Sequence, residues 1–114
     1  VNDLRLVAIQ GTAAQKFEPG QVVITATALH RLSEIFPEEH DARLSLSLLL
    51  ALHVSGNWGN LDDEDKRANE NALKSGARIL SKYDVGADLY FITDAVYDRD
   101  TPRQLTTIML PSDY

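Results

Sequence analysis

Asp41-Ala42-Arg43-Leu44-Ser45-Leu46-Ser47-Leu48-Leu49-Leu50-Ala51-Leu52-His53-Val54 is the stretch on which the fold turns. Its first half alternates leucine with serine, the period of a half-buried strand. Leucine and alanine dominate it, however, β-branched residues are nearly absent, and Leu44, Leu48 and Leu52 recur every four residues. Leucine and alanine are strong helix formers, whereas strands favour β-branched side chains. The stretch therefore reads as a buried helix. Glu38, Glu39 and Asp41 place negative charge at its start, where the helix dipole favours it.

Upstream, Leu29, Leu32, Ile35 and Phe36 recur at three- and four-residue spacing and give a helix one apolar face. Thr25 or Thr27 can cap it and Pro37 ends it. Before it, Pro19-Gly20 is a turn and the β-branched run 21–25 a strand. Residues 4–9 suit a short strand, but 11–15 are small and polar. Residues 1–16 thus read as a loosely ordered arm and 17–114 as a single α+β domain.

Downstream, Gly56-Asn57-Trp58-Gly59-Asn60 makes a tight loop and Asp62 opens a third helix. Asp63, Glu64 and Asp65 load its first turn, with Asp65 placed as the return partner of a capping box. Lys74 lies in the last turn and Gly76 is suited to the left-handed residue that ends it. Its apolar face is thin (Ala68, Ala72, Leu73), as on a surface helix. Strands are expected at 78–83, 88–95 and 105–110, the first two joined by a hairpin at 84–87 containing Gly86. The predicted architecture is α+β: three helices on one face of a small, mainly antiparallel sheet ending in a three-strand meander. An exposed sheet edge offers one route to a dimer.

With 114 residues and 44% hydrophobic residues, the chain can bury one core. No apolar run nears the roughly 18 residues of a membrane span, and the first five residues lack the features of a secretory leader. The absence of cysteine excludes disulfides, thiolate metal sites and cysteine nucleophiles and fits a cytoplasmic location. A net charge of −6 lacks the basic footprint of nucleic-acid binding.

Chemistry, where it occurs, is expected around the Trp58 loop. His53, Gly56, Asn57, Trp58, Gly59 and Asp62 combine close backbone approach, a stacking surface and free N–H groups at a helix start. Tyr83 and Asp94 are candidates to face them across a cleft. The same residues also suit a shaped helix–helix connection, with Trp58 closing the core and His53 bonded to backbone. The acids following Asp62 would repel a phosphate.

Glu64-Asp65-Lys66 matches the E-x-K element of metal nucleases, but that chemistry needs the triplet on a strand. An EF-hand from Asp62 would put Arg67 where glycine is required and Leu73 where glutamate is required. His30, His40 and His53 have no metal-binding spacing, and the acids Asp94, Asp98 and Asp100 around Arg99 suit an ordinary loop. No hydrolase elbow, P-loop or dinucleotide fingerprint is present. No catalytic residue, metal ligand or cofactor is therefore assigned.

From His53 onward the chain resembles a family of small bacterial proteins carried on plasmids and integrated mobile elements. That family's pattern is H-x-x-G-D-W-G, then L with an acidic helix start, N-x-x-A-L, R-x-x-S-x-Y, I-T-[DE] and a T-T-x-L-L-P-x-D-Y tail. Here it reads His53, Gly56, Asn57, Trp58, Gly59; Leu61, Asp62; Asn69, Ala72, Leu73; Arg78, Ser81, Tyr83; Ile92, Thr93, Asp94; and 106–114. Asn57 replaces the usual aspartate, and the loop after Asp94 is longer. Members are labelled plasmid-related proteins, sometimes type I restriction subunits, but the N-P-P-[FY]-type loop of a modification subunit is missing here.

The resemblance implies a mobile-element context without a mechanism. The expected function is that of a non-enzymatic accessory protein acting on a protein partner or by self-association as a homodimer. A small-ligand binder or weak enzyme using the Trp58 loop is the second reading. An acidic DNA mimic that blocks a host defence is the third.

Overall fold

A computed structural model describes the backbone of Asn2–Leu4 and, in full, residues 14–114. The loosely ordered arm expected at 1–16 lies largely outside these residues. Strand β1 (Asn2–Leu4) and strand β2 (Gln21–Ile24) pair antiparallel. Helices α1 (Ala26–Ile35), α2 (Glu39–Val54) and α3 (Asp63–Ser75) follow. Strands β3 (Ile79–Asp84), β4 (Asp88–Thr93) and β5 (Leu105–Met109) form the meander, and a 3-10 turn (Pro111–Asp113) ends the chain.

The sheet order is β1-β2-β5-β4-β3, antiparallel except where β2 runs parallel to β5. Side chains alternate between the faces of a strand, so the register places Val22, Ile24, Ile79, Ser81, Tyr83, Leu89, Phe91, Thr93, Thr106 and Ile108 on one side. All three helices pack there. Ala28 and Leu32 of α1 and Leu46 of α2 join Ile24, Phe91 and Ile108 in the main core. Ala72 of α3 joins Trp58 and Ile79 in a second, smaller cluster. The α+β arrangement expected from sequence is the one found.

Local signals explain the element ends. The Thr25 hydroxyl accepts from Ala28 N and starts α1, and the Asp62 carboxylate accepts from Asp65 N at 2.8 Å and starts α3. Gly76, at φ 87°, ends α3 in the left-handed conformation that glycine adopts without steric cost. Asp113 ties the chain end back to α1. Its carboxylate accepts from the hydroxyls of Thr25 at 2.8 Å and Thr27 at 2.6 Å and from Leu110 N at 3.0 Å. These bonds hold the exposed carboxyl below its usual pKa, the Thr27 bond most of all.

Two expectations about burial are corrected. The stretch 41–54 is helical, but α2 is not a buried helix: it lies on the surface and buries only Leu46, His53 and Val54. Its Leu44, Leu48 and Leu52, and Leu29 of α1, face solvent. On α3, Ala68 is exposed and the buried residue one position on is Asn69. Ranking by side-chain type fails here because one helix face suffices to cover the sheet.

Candidate functional site

The last turn of α2 carries His53 into the middle of the domain, where it is fully buried. Its Nδ1 lies 2.6 Å from Ser81 Oγ and its Nε2 2.9 Å from Thr93 Oγ1. Thr93 Oγ1 lies 2.7 Å from Thr106 Oγ1, which donates to the Pro19 carbonyl at 2.8 Å. A carbonyl only accepts, and that fixes every proton in the chain. Thr106 spends its proton on Pro19, so it accepts from Thr93. Thr93 in turn accepts from Nε2–H, and the unprotonated Nδ1 accepts from Ser81. One neutral tautomer thus links α2, β3, β4, β5 and the turn before β2. Burial, and secondarily the nearby Arg103 charge, push the His53 pKa down from 6.5 to about 3.

Trp58 is likewise buried, stacked on Phe17 with ring centroids 6.4 Å apart and packed against Ala72 and Ile79. His53 meets the Trp58 ring edge-on at 6.3 Å. The backbone around Trp58 closes the edge of the sheet. Lys82 N donates to the Trp58 carbonyl at 3.2 Å, and Asn60 N donates to the Lys82 carbonyl at 2.7 Å. Gly59, at φ 73°, lies so close to the Lys82 carbonyl that any Cβ would collide with it.

The neighbouring outward-facing residue of β3 is handled by Asn69. Its Nδ2 donates to the Leu80 carbonyl at 2.6 Å and its Oδ1 accepts from Leu80 N at 3.1 Å. The side-chain amide therefore mimics a paired strand. Between them, the loop and Asn69 occupy the outward backbone groups of Leu80 and Lys82, so the β3 edge offers no ladder to a second chain.

The other candidate residues fall into place around this frame. The Tyr83 hydroxyl donates to the Asn57 carbonyl at 2.6 Å, and burial pushes its pKa up. Asn57 Oδ1 accepts from Gly59 N, a role an aspartate fills equally well. Gly56, at φ 87°, lies under the Lys16 side chain, where a Cβ would strike the lysine's far end. Asp62 caps α3. Asp94 is exposed on the far side of Thr93, its carbonyl accepting from Arg103 at 3.0 Å. His53, Trp58 and Tyr83 do converge, but inside the core, with Asp94 apart from them. The surface beside the loop is an open depression of about 400 Å³ lined by Gly56, Trp58, Asp63, Lys66, Arg67 and Glu70. Among the described residues no group of three His, Asp or Glu side chains is placed to hold a metal ion. No helix among the described residues is long and apolar enough to cross a membrane.

Three features escape sequence reading. Arg103 is buried, and among the described residues no carboxylate pairs with it. Its guanidinium donates to the carbonyls of Ala77 at 2.7 Å, Asp94 at 3.0 Å and Ala72 at 3.1 Å, closing the end of α3, and burial lowers its pKa. A single arginine between Pro102 and Gln104 carries no signal of that role. Asn69 is equally plain in sequence. The third feature is the outer face of α2, where Leu44, Leu48 and Leu52 are 45%, 47% and 38% exposed. No Asp, Glu, Lys or Arg occurs between Leu44 and Leu61, so nothing charged interrupts this face. The available signal was the four-residue leucine spacing, which marks a helix face without saying whether it points in or out.

No family model matches the chain, and no curated protein or solved structure matches it either.

Proposed function

We propose that this chain is a non-enzymatic accessory protein of a plasmid or integrated mobile element that works by protein–protein contact, and that the outer face of α2 is its docking surface. The observation carrying the docking part is the row of exposed leucines at 44, 48 and 52 on a helix face that carries no charge beyond Asp41 at its start. Isolated exposed leucines are ordinary. Aligned leucines spanning two helical turns, on a chain that is 25% charged, form the kind of contiguous apolar surface that marks an interaction site. The mobile-element context rests on the motif resemblance from His53 onward. The side chains that gave the Trp58 loop its chemical promise are committed to internal bonds, which favours the interaction reading over a ligand pocket there.

Site-specific photocrosslinking in a bacterial cytosol tests the reading. A photoreactive residue in place of Leu48 is expected to give discrete protein adducts, whereas the same residue in place of Lys74, on the exposed side of α3, gives none. Adducts absent from both positions would overturn it.

A further inference from the structure

The geometry points to a second copy of this chain as the occupant of the α2 face, packed antiparallel about a two-fold axis that passes beside Leu48. This inference rests on the docking role of α2 and names the partner. Residues four apart on a helix form a ridge, and ridges of one helix pack into the grooves of another. Leu44, Leu48 and Leu52 form such a ridge, and Ser47, Ala51 and Ser55 form a low row of the same spacing beside it. A leucine ridge next to a small-residue groove is its own complement, so two copies fill each other's grooves reciprocally, as an isologous contact requires.

Two copies at net −6 repel, so their contact favours a surface free of charge, and this helix face has none from Leu44 on. Orientation follows from the helix ends. The N-terminal end carries Glu38, Glu39 and Asp41, and the C-terminal end lies by the Lys16 amine, which sits over Gly56. A parallel pair would bring the two acidic ends together. An antiparallel pair centred on Leu48 sets Leu44 against Leu52 of the other copy. It also carries each acidic end toward the other copy's Lys16, whose 3.7 Å contact with Glu70 is solvent-exposed and exchangeable.

Sixteen helical residues span roughly 24 Å. One helix face of that length buries roughly half of the ~800 Å² per partner of a standard interface. The contact is therefore expected to be a weak, reversible dimer, with a dissociation constant in the micromolar range or weaker.

Sedimentation velocity of the full chain at concentrations spanning that range is expected to show a monomer–dimer equilibrium. Leu48→Lys sets two like charges against each other at the axis and is expected to weaken the dimer at least ~30-fold. Because the chain has no cysteine, introduced thiols report geometry without background, and they serve equally should Leu48→Lys not fold. Under mild oxidation Leu48→Cys is expected to form a covalent dimer with itself. Leu44→Cys does so poorly alone but readily when mixed with Leu52→Cys. A wild-type chain that stays monomeric throughout, with no disulfide from Leu48→Cys, overturns the inference. So does strong self-crosslinking of Leu44→Cys, which requires parallel helices or an axis displaced from Leu48. Adducts to a different protein from position 48 combined with a strict monomer would leave the docking role standing and remove the second copy.

Discussion

The Trp58 loop and the outer face of α2 are adjacent in sequence and opposite in character. The loop is chemically rich, with the only tryptophan, paired glycines, asparagines and a histidine, yet its histidine bonds inward and its rings lie in the core. The α2 face is built from leucine, serine and alanine, residues of little chemical distinction, and it faces solvent. Distinctive residue types were needed where the backbone had to be close, the turn tight and the sheet edge sealed. A docking surface asks only for apolar area free of charge. Residue chemistry thus marks where the fold is most constrained, and exposure marks where a partner has room.

The largest expected effect breaks the loop side of this comparison. His53→Ala removes a buried ring and leaves Ser81 and Thr93 short of partners, so unfolding by urea is expected to show a loss of about 3–5 kcal/mol. Trp58→Ala belongs in the same range through its lost packing. A cost below about 1 kcal/mol for either would mean that the residue is not held by the core and is free to serve a ligand.

The acid sensitivity of His53 comes next. Unfolded, the imidazole takes up a proton below its ordinary 6.5, and folded only near 3. Between those values the unfolded state binds more protons, so stability falls as pH falls. Below about 3 both states are protonated and His53 adds no further loss. At ~1.4 kcal/mol for each tenfold change in proton affinity, the full effect approaches roughly 4–5 kcal/mol, a large share of a small domain's stability. Asp113 acts in the same direction, because its carboxylate is lowered by Thr27 and Thr25. Urea melts at pH 7 and pH 4 are expected to differ by several kcal/mol, and a His53→Gln variant is expected to lose most of that slope. A wild-type slope close to that of the variant would place the ring in contact with water.

How much of this was legible beforehand follows the same division. The helix at 41–54, the caps at Thr25, Asp62 and Gly76 and the three C-terminal strands are local decisions, set by propensity, capping and turn chemistry within a few residues. The three-helix, mainly antiparallel layout followed from their order. Which way α2 faces was not legible, because leucines at four-residue spacing satisfy a buried and an exposed face alike and only the position of the sheet decides. Arg103 and Asn69 were hidden for a related reason. Each acts on backbone groups of elements distant in sequence, and no nearby residue reveals the pairing. The His53 loop was recognised as special, but its residue types suit a ligand and a sealed edge equally well.

Asn69→Ala tests the sealed edge at moderate cost. It leaves the N–H and carbonyl of Leu80 unpaired at a partly buried site, so a loss of about 1–3 kcal/mol is expected. The open β3 edge should also raise the tendency to aggregate on warming, read by light scattering. Asn69→Asp keeps the acceptor for Leu80 N but sets a buried carboxylate oxygen against the Leu80 carbonyl, and is expected to cost at least as much at neutral pH. A silent Asn69→Ala would show that solvent satisfies this edge unaided.

The smallest expected change in stability belongs to α2, and it sharpens the comparison most. Leu48 is about half exposed, so Leu48→Lys removes little that the monomer buries and replaces one good helix former with another. Its unfolding free energy, measured at concentrations too low for self-association, is expected to stay within about 0.5 kcal/mol of wild type. The same substitution made at Leu46, which is buried, would cost several kcal/mol because it drives a charge into the core. Two leucines on one helix, separated by half a turn, would then differ by most of the domain's stability while only the outer one alters association. If Leu48→Lys instead destabilised the dilute monomer by more than about 2 kcal/mol, the outer face of α2 would be part of this chain's own core. The division between a committed loop and a free helix face would then fail.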